Sequence, residues 1–92
     1  MTVERVFKSP GTKLLRLTAD IDAGAVRGLS MRGDFFAHPE EGFDRVEASL
    51  VGVTVAGFES AFRAALEREG VSLYGLDPAD VANLIEEAAR DA

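Results

Sequence analysis

Three basic side chains, Lys8, Lys13 and Arg32, are the first candidates for chemistry in a 92-residue chain of net charge −6. Lys8 and Lys13 flank a Pro10-Gly11 turn, and Arg32 ends an alternating segment just before Gly33 and Asp34. Cations placed at two turns can present positive charge to an anion that something else binds. They can equally be solvated charges paired with nearby Asp and Glu, a kind of pair that contributes little. The run Lys8-Ser9-Pro10-Gly11-Thr12-Lys13 is not a phosphate-binding P-loop, because such a loop follows a strand and feeds a helix, whereas Lys13 feeds a strand.

The second candidate is the corner Met31-Arg32-Gly33-Asp34-Phe35-Phe36, where an alternating strand stops and a helix is about to begin. Gly33 and Asp34 are turn formers, and glycine reaches backbone conformations that strain a residue with a Cβ. Phe35 and Phe36 put two large rings at that turn, which reads as a packed corner or as a surface for another protein. A ring pointing inward belongs to the core; a ring pointing outward belongs to an association.

Other chemistry is excluded by composition. No cysteine is present, so a disulfide, a thiolate metal site and a cysteine nucleophile are impossible. His38 is the only histidine, which rules out a multi-histidine metal site, and its place before Pro39 suits a helix cap or the loop residue preceding it. Glu47, Glu86 and Glu87 read as solvated helix faces rather than a paired acid and base. Val55, Phe58 and Phe62 read as a core stripe. The ten Lys and Arg residues are scattered, which argues against nucleic-acid binding. No apolar run approaches the roughly 20 residues of a membrane span, and the N-terminus lacks a signal-peptide core. The expectation is a soluble cytoplasmic protein. No pocket on the order of several hundred Å³ is expected, so the chain alone is not expected to be a catalyst.

The positioning elements follow from periodicity. Residues 1–92 are read as a single domain, small enough that part of its 47% apolar content can face a partner. Leu15, Leu17, Ala19 and Ile21 alternate with polar positions over Lys13–Asp22, and a second strand runs from Ala25 to Arg32 after an Asp22-Ala23-Gly24 turn. With that turn, Lys13 falls close to opposite Arg32. Val3–Phe7 can add a third strand. A helix is predicted from Pro39 as its first residue, with Gly52 as its C-cap. A second runs from a Thr54 N-cap to Gly70. A third opens at Asp77-Pro78, and Val71–Gly75 connects the last two, with room for a brief strand. The fold class is α+β, a small antiparallel sheet of two or three strands with three amphipathic helices packed on one face.

Three segments together carry a family likeness: Lys8-x-Pro10-Gly11-x-Lys13-Leu14, Gly33-Asp34-Phe35-Phe36, and Val46-Glu47-x-x-Leu50-x-Gly52 with two more amphipathic helices after it. The pattern, over about residues 5 to 90, resembles the accessory domain of lipoate-protein ligases. Thr12 stands where the usual turn has a second glycine. Since the chain begins with its own Met1, it resembles the stand-alone small subunit of the bipartite form. The resemblance implies a heterodimer with a large catalytic subunit, which adenylates lipoate using ATP and Mg2+ and passes the lipoyl group to a lysine of a lipoyl-domain acceptor. It implies that the substrate and nucleotide residues lie in the large subunit, and that the small one binds no cofactor alone and supports adenylation by closing over the active site. Lys8, Lys13, Arg32, Gly33, Asp34, Phe35 and Phe36 are then the candidate partner or lid residues, the three cations suiting a triphosphate or developing pyrophosphate charge. The alternative is a non-enzymatic adaptor that binds proteins through the exposed face of its sheet.

Overall fold

Leu15, Leu17, Ala19 and Ile21 supply the inner face on which the helices are laid, each at most 4% exposed. The computed structural model describes residues 1–8 and 13–91. Along them run β1 (Thr2–Phe7), β2 (Leu15–Asp22), β3 (Ala25–Gly33), β4 (Phe36–His38), α1 (Glu40–Ser49), α2 (Phe58–Glu69), β5 (Ser72–Tyr74) and α3 (Pro78–Asp91). The strands β1, β2 and β3 form an antiparallel sheet in that order. Helix α1 packs on β3, α3 packs on β2, and α2 packs against both helices. This is the expected α+β architecture. It has one addition, a second antiparallel sheet made of β4 and β5.

The hairpin of β2 and β3 corrects the expected register. Its turn has two residues, Ala23 and Gly24, at φ 51° and 74°, and Asp22 pairs with Ala25. Positive φ at both central positions matches the twist of the flanking strands. The ladder then passes from Ile21–Val26 to Asp20–Gly28, so Arg27 is an extra, bulged residue. The bulge lets Val26 and Met31, five residues apart, both reach the core, at 0% and 1% exposure. A shorter turn and a bulge each shift the pairing by one step. Arg32 therefore stands opposite Arg16, and the ladder ends at Leu15–Gly33 before reaching Lys13.

Helix ends differ from expectation where tertiary pairing competes. Pro39 is the N-cap of α1, not its first helical residue; its ψ is 149° and its carbonyl accepts the Phe43 N–H at 3.2 Å. Helix α1 closes at Leu50, so Gly52 is not its C-cap. Helix α2 begins at Phe58 rather than after Thr54, because Thr54 is drawn into a bridge with Ala25. The Thr54 hydroxyl instead accepts the Gly57 N–H at 3.1 Å, closing a turn ahead of the helix. Asp77 caps α3 as expected, accepting the Ala79 N–H at 2.9 Å. Phe58 and Phe62 are fully buried, edge to face at 5.8 Å, and burial of each ring stabilises the fold by about 1.5–3 kcal/mol.

Candidate functional site

Gly33 makes the corner possible. Its φ is 155°, and a Cβ at this position would collide with the carbonyl of Leu14. The same carbonyl accepts the Asp34 N–H at 3.0 Å, so the chain leaves β3 pressed against the start of β2. The Lys13 N–H donates in turn to the Gly75 carbonyl at 2.9 Å. Residues 13 and 14 thus join the three-stranded sheet to the end of β5. The rest of the Pro10-Gly11 turn, residues 9–12, lies outside the described residues.

The two rings part company at the corner. Phe35 turns inward and meets Phe43 of α1 edge-on at 5.6 Å. Phe36 is 71% exposed and opens β4, a strand the sequence pattern did not signal. Directly across from Phe36 on β5 stands Tyr74, 61% exposed, with His38 and Ser72 forming the next pair on the same outer face. Two open grooves flank the exposed ring of Phe36. An open groove of about 520 Å³ runs between this face and the N-terminus of α1, bounded by Phe36, His38, Pro39, Glu40, Glu41 and Tyr74. A second groove, of about 300 Å³, lies on the other side of Phe36, between Arg32, Gly33, Phe35 and Phe43. Both are open surface features rather than enclosures.

Glu47, like Tyr74, is a residue that sequence reasoning missed. Its side chain is only 16% exposed, and its carboxylate accepts the Met31 N–H at 3.0 Å while lying 3.6 Å from the Arg32 guanidinium. Strand β3 is a sheet edge, so that N–H has no neighbouring strand to bond. Further along the same edge, Gly52 N–H donates to Val26 O at 2.6 Å, and Val26 N–H donates to Val53 O at 2.8 Å. The segment Val46-Glu47-x-x-Leu50-x-Gly52 is therefore an edge cover. Val46 and Leu50 are fully buried, while Glu47 and Gly52 occupy exposed backbone groups of β3 that could template wrong pairing. The clue was available in the spacing, since Glu47 adjoins Val46 on the buried stripe of α1.

The topology brings Lys8, Lys13 and Arg32 to one end of the three-stranded sheet: Lys8 follows β1, Lys13 precedes β2, and Arg32 is the penultimate residue of β3. Arg16 joins them, opposite Arg32 and beside Val6 on the face away from the helices. Lys8, Lys13 and Arg16 make no ion pair among the described residues, whereas Arg32 is held by Glu47 and by the Met31 carbonyl at 3.0 Å. The strongest electrostatic perturbation lies elsewhere. The Arg45 guanidinium, 2.7 Å from Glu69, holds that carboxyl below its usual range and is itself raised by the same hydrogen bond. Among the described residues no three His, Asp or Glu side chains gather where they could hold a metal ion. None of the described helices is long and apolar enough to cross a membrane.

Comparison with known proteins gives these features a context. No protein-family model matches the chain. It is 31% identical over 67 residues to lipoate-protein ligase A subunit 2 of Thermoplasma acidophilum, covering 73% of this chain and 70% of that one. It also matches one chain of a solved structure described as an archaeal lipoylation system, a bipartite lipoate protein ligase and its E2 lipoyl domain from the same organism. That match has a TM-score of 0.77 at 27% identity and covers 92% of this chain and 94% of the other. Sequence and fold agree, and the chain belongs to the lipoate-protein ligase A subunit 2 family.

Proposed function

We propose that this chain is the small subunit of a two-part lipoate-protein ligase, inert alone, which binds a large catalytic subunit and supports adenylation of lipoate there. In that reaction the lipoate carboxylate attacks the α-phosphorus of ATP and expels pyrophosphate. An acceptor lysine on a lipoyl domain then attacks the mixed anhydride and releases AMP. ATP, Mg2+ and lipoate are assigned to the large subunit, and the complex to the cytoplasm. The observation that carries the proposal is the match of nearly the whole fold to a chain of a bipartite ligase structure. The exposed Phe36 and Tyr74 add to it, because they have no use in the core of this chain.

In this reading the small subunit closes over the active site and excludes water from the acyl-adenylate. Gly33, Asp34 and Phe36 form the corner presented to the large subunit, and Phe35 anchors that corner against Phe43. Lys8, Lys13 and Arg32, at one end of the sheet, offer positive charge to the departing pyrophosphate. Lys13 is the best placed of the three, since its backbone is held by Gly75 and its side chain carries no ion pair among the described residues.

The test is reconstitution with the catalytic subunit of the same organism, following lipoyl-AMP formation from ATP and lipoate. The large subunit should need this chain for adenylation, and this chain alone should form no lipoyl-AMP. Lys13→Ala should slow adenylation while leaving transfer from preformed lipoyl-AMP unchanged. Equal loss in both half-reactions would make Lys13 a docking residue. A large subunit equally active without this chain would leave an adaptor that binds through the open face of its sheet.

A further inference from the structure

We infer that the groove between the β4–β5 sheet and the N-terminus of α1 receives a lysine or arginine side chain of the catalytic subunit, its cation against the rings of Phe36 and Tyr74 and beside Glu40 and Glu41. The inference rests on the function proposed above and names what one part of that interface recognises. Two large rings on adjacent strands, paired in register and 71% and 61% exposed, leave apolar surface that the fold itself does not cover. The face of an aromatic ring carries partial negative charge and attracts a cation, most strongly where water is displaced.

The rim of the groove has matching charge. Glu40 and Glu41 are both exposed, and neither makes an ion pair among the described residues. Among the described residues Glu47, Glu59, Glu69 and Asp77 each meet an arginine, whereas Glu40 and Glu41, like most of the other carboxylates, do not. The N-terminus of α1 contributes a positive end equivalent to about half a charge, which favours anions. Arg45 lies within Coulombic range of Glu41 but is hydrogen-bonded to Glu69, so the two carboxylates at the rim are the charges that a cation in the groove meets first. A second copy of this chain is a poor occupant, because it carries net charge −6 and would bring like charge to an acidic face. A basic side chain on a long apolar stem fits instead, its methylenes over the rings and its head at the carboxylates.

The experiment measures affinity between this chain and the catalytic subunit by titration calorimetry, wild type first. Two pairs of substitutions then separate ring face from apolar area and charge from size. Phe36→Leu with Tyr74→Leu keeps apolar bulk and removes the π faces, whereas Glu40→Gln with Glu41→Gln keeps size and removes charge. The leucine variant is expected to melt like the wild type and the glutamine variant somewhat below it but fully folded at assay temperature, and each is expected to bind about 10-fold or more weakly. Added salt should weaken the wild-type complex more than the glutamine variant. Wild-type affinity in the leucine variant, or in the glutamine variant, overturns the inference and leaves the proposed function standing. A wild-type chain that binds no catalytic subunit overturns both.

Discussion

In the three-stranded sheet the β2 row Leu15, Leu17, Ala19 and Ile21 is buried, and the outer edge of β3 is closed by Glu47 and the segment after α1. In the two-stranded sheet the same alternation buries little. Ala37 and Leu73 are half-covered, while Phe36 and Tyr74 face outward at 71% and 61% exposure. Adjacent residues in the chain fall on opposite sides of this divide, Phe35 against Phe43 and Phe36 in the open. The difference places aromatic residues in two separate physical environments here. In the larger sheet and its helices a ring stabilises the fold. In the smaller sheet most of the ring lies in water and contributes little to folding.

The largest effect that tests this contrast belongs to the core. Phe62→Ala removes a fully buried ring packed against Phe58 and should cost about 3–5 kcal/mol, measured by denaturant unfolding. Such a loss is a large fraction of the stability of a domain this size. The contrast would break if Phe36→Ala cost as much. Next in size is Glu47→Ala, which strands the Met31 N–H at the edge of β3 and should cost about 1–3 kcal/mol. Faster hydrogen exchange at the Met31 amide should accompany that loss. An unchanged Met31 amide would mean that water replaces the carboxylate without penalty.

Much of the larger sheet was legible in the sequence because its signals are periodic and local. The alternation from Leu15 to Ile21 marks a half-buried strand, and Asp77-Pro78 marks a helix start. What was hidden depends on contacts distant in sequence. Thr54 has the chemistry of an N-cap, but its bridge to Ala25 delays α2 to Phe58. The two-residue turn and the bulge at Arg27, marked in the sequence only by Gly28 beside it, together set Arg16 rather than Lys13 against Arg32. Strand β4 has three residues, too few for a period to show. For the candidate site, the sequence singled out the corner and its two rings but could not say which pointed outward. Tyr74 and the groove went unseen, because only the fold brings residues 36 and 74 together.

Phe36→Ala should change stability by no more than about 0.5 kcal/mol, since its ring is mostly in water in the isolated chain. Its thermal unfolding should match that of the wild type, while complex formation with the catalytic subunit is weakened. A drop in Tm comparable to that of Glu47→Ala would move Phe36 from the partner side of the comparison to the folding side.

The smallest expected effect concerns the ion pair that joins α1 to the end of α2. Arg45 and Glu69 meet at 2.7 Å where α1 passes the end of α2, three residues before β5 begins. The hydrogen bond from Arg45 is the main cause that lowers the Glu69 carboxyl below its ordinary value. A carboxyl lowered on folding stabilises the native state above its unfolded pKa, and that contribution is lost as pH falls through the lowered native value. Wild type should therefore melt slightly above Glu69→Gln at neutral pH, and the two curves should converge in acid. Because the Arg45 side of the pair is 59% exposed, added salt should shrink the gap as well. The variant should loosen β5 amides in hydrogen exchange and leave β2 amides as they were. A gap that persisted in acid would assign the effect to packing of the Glu69 side chain rather than to its charge.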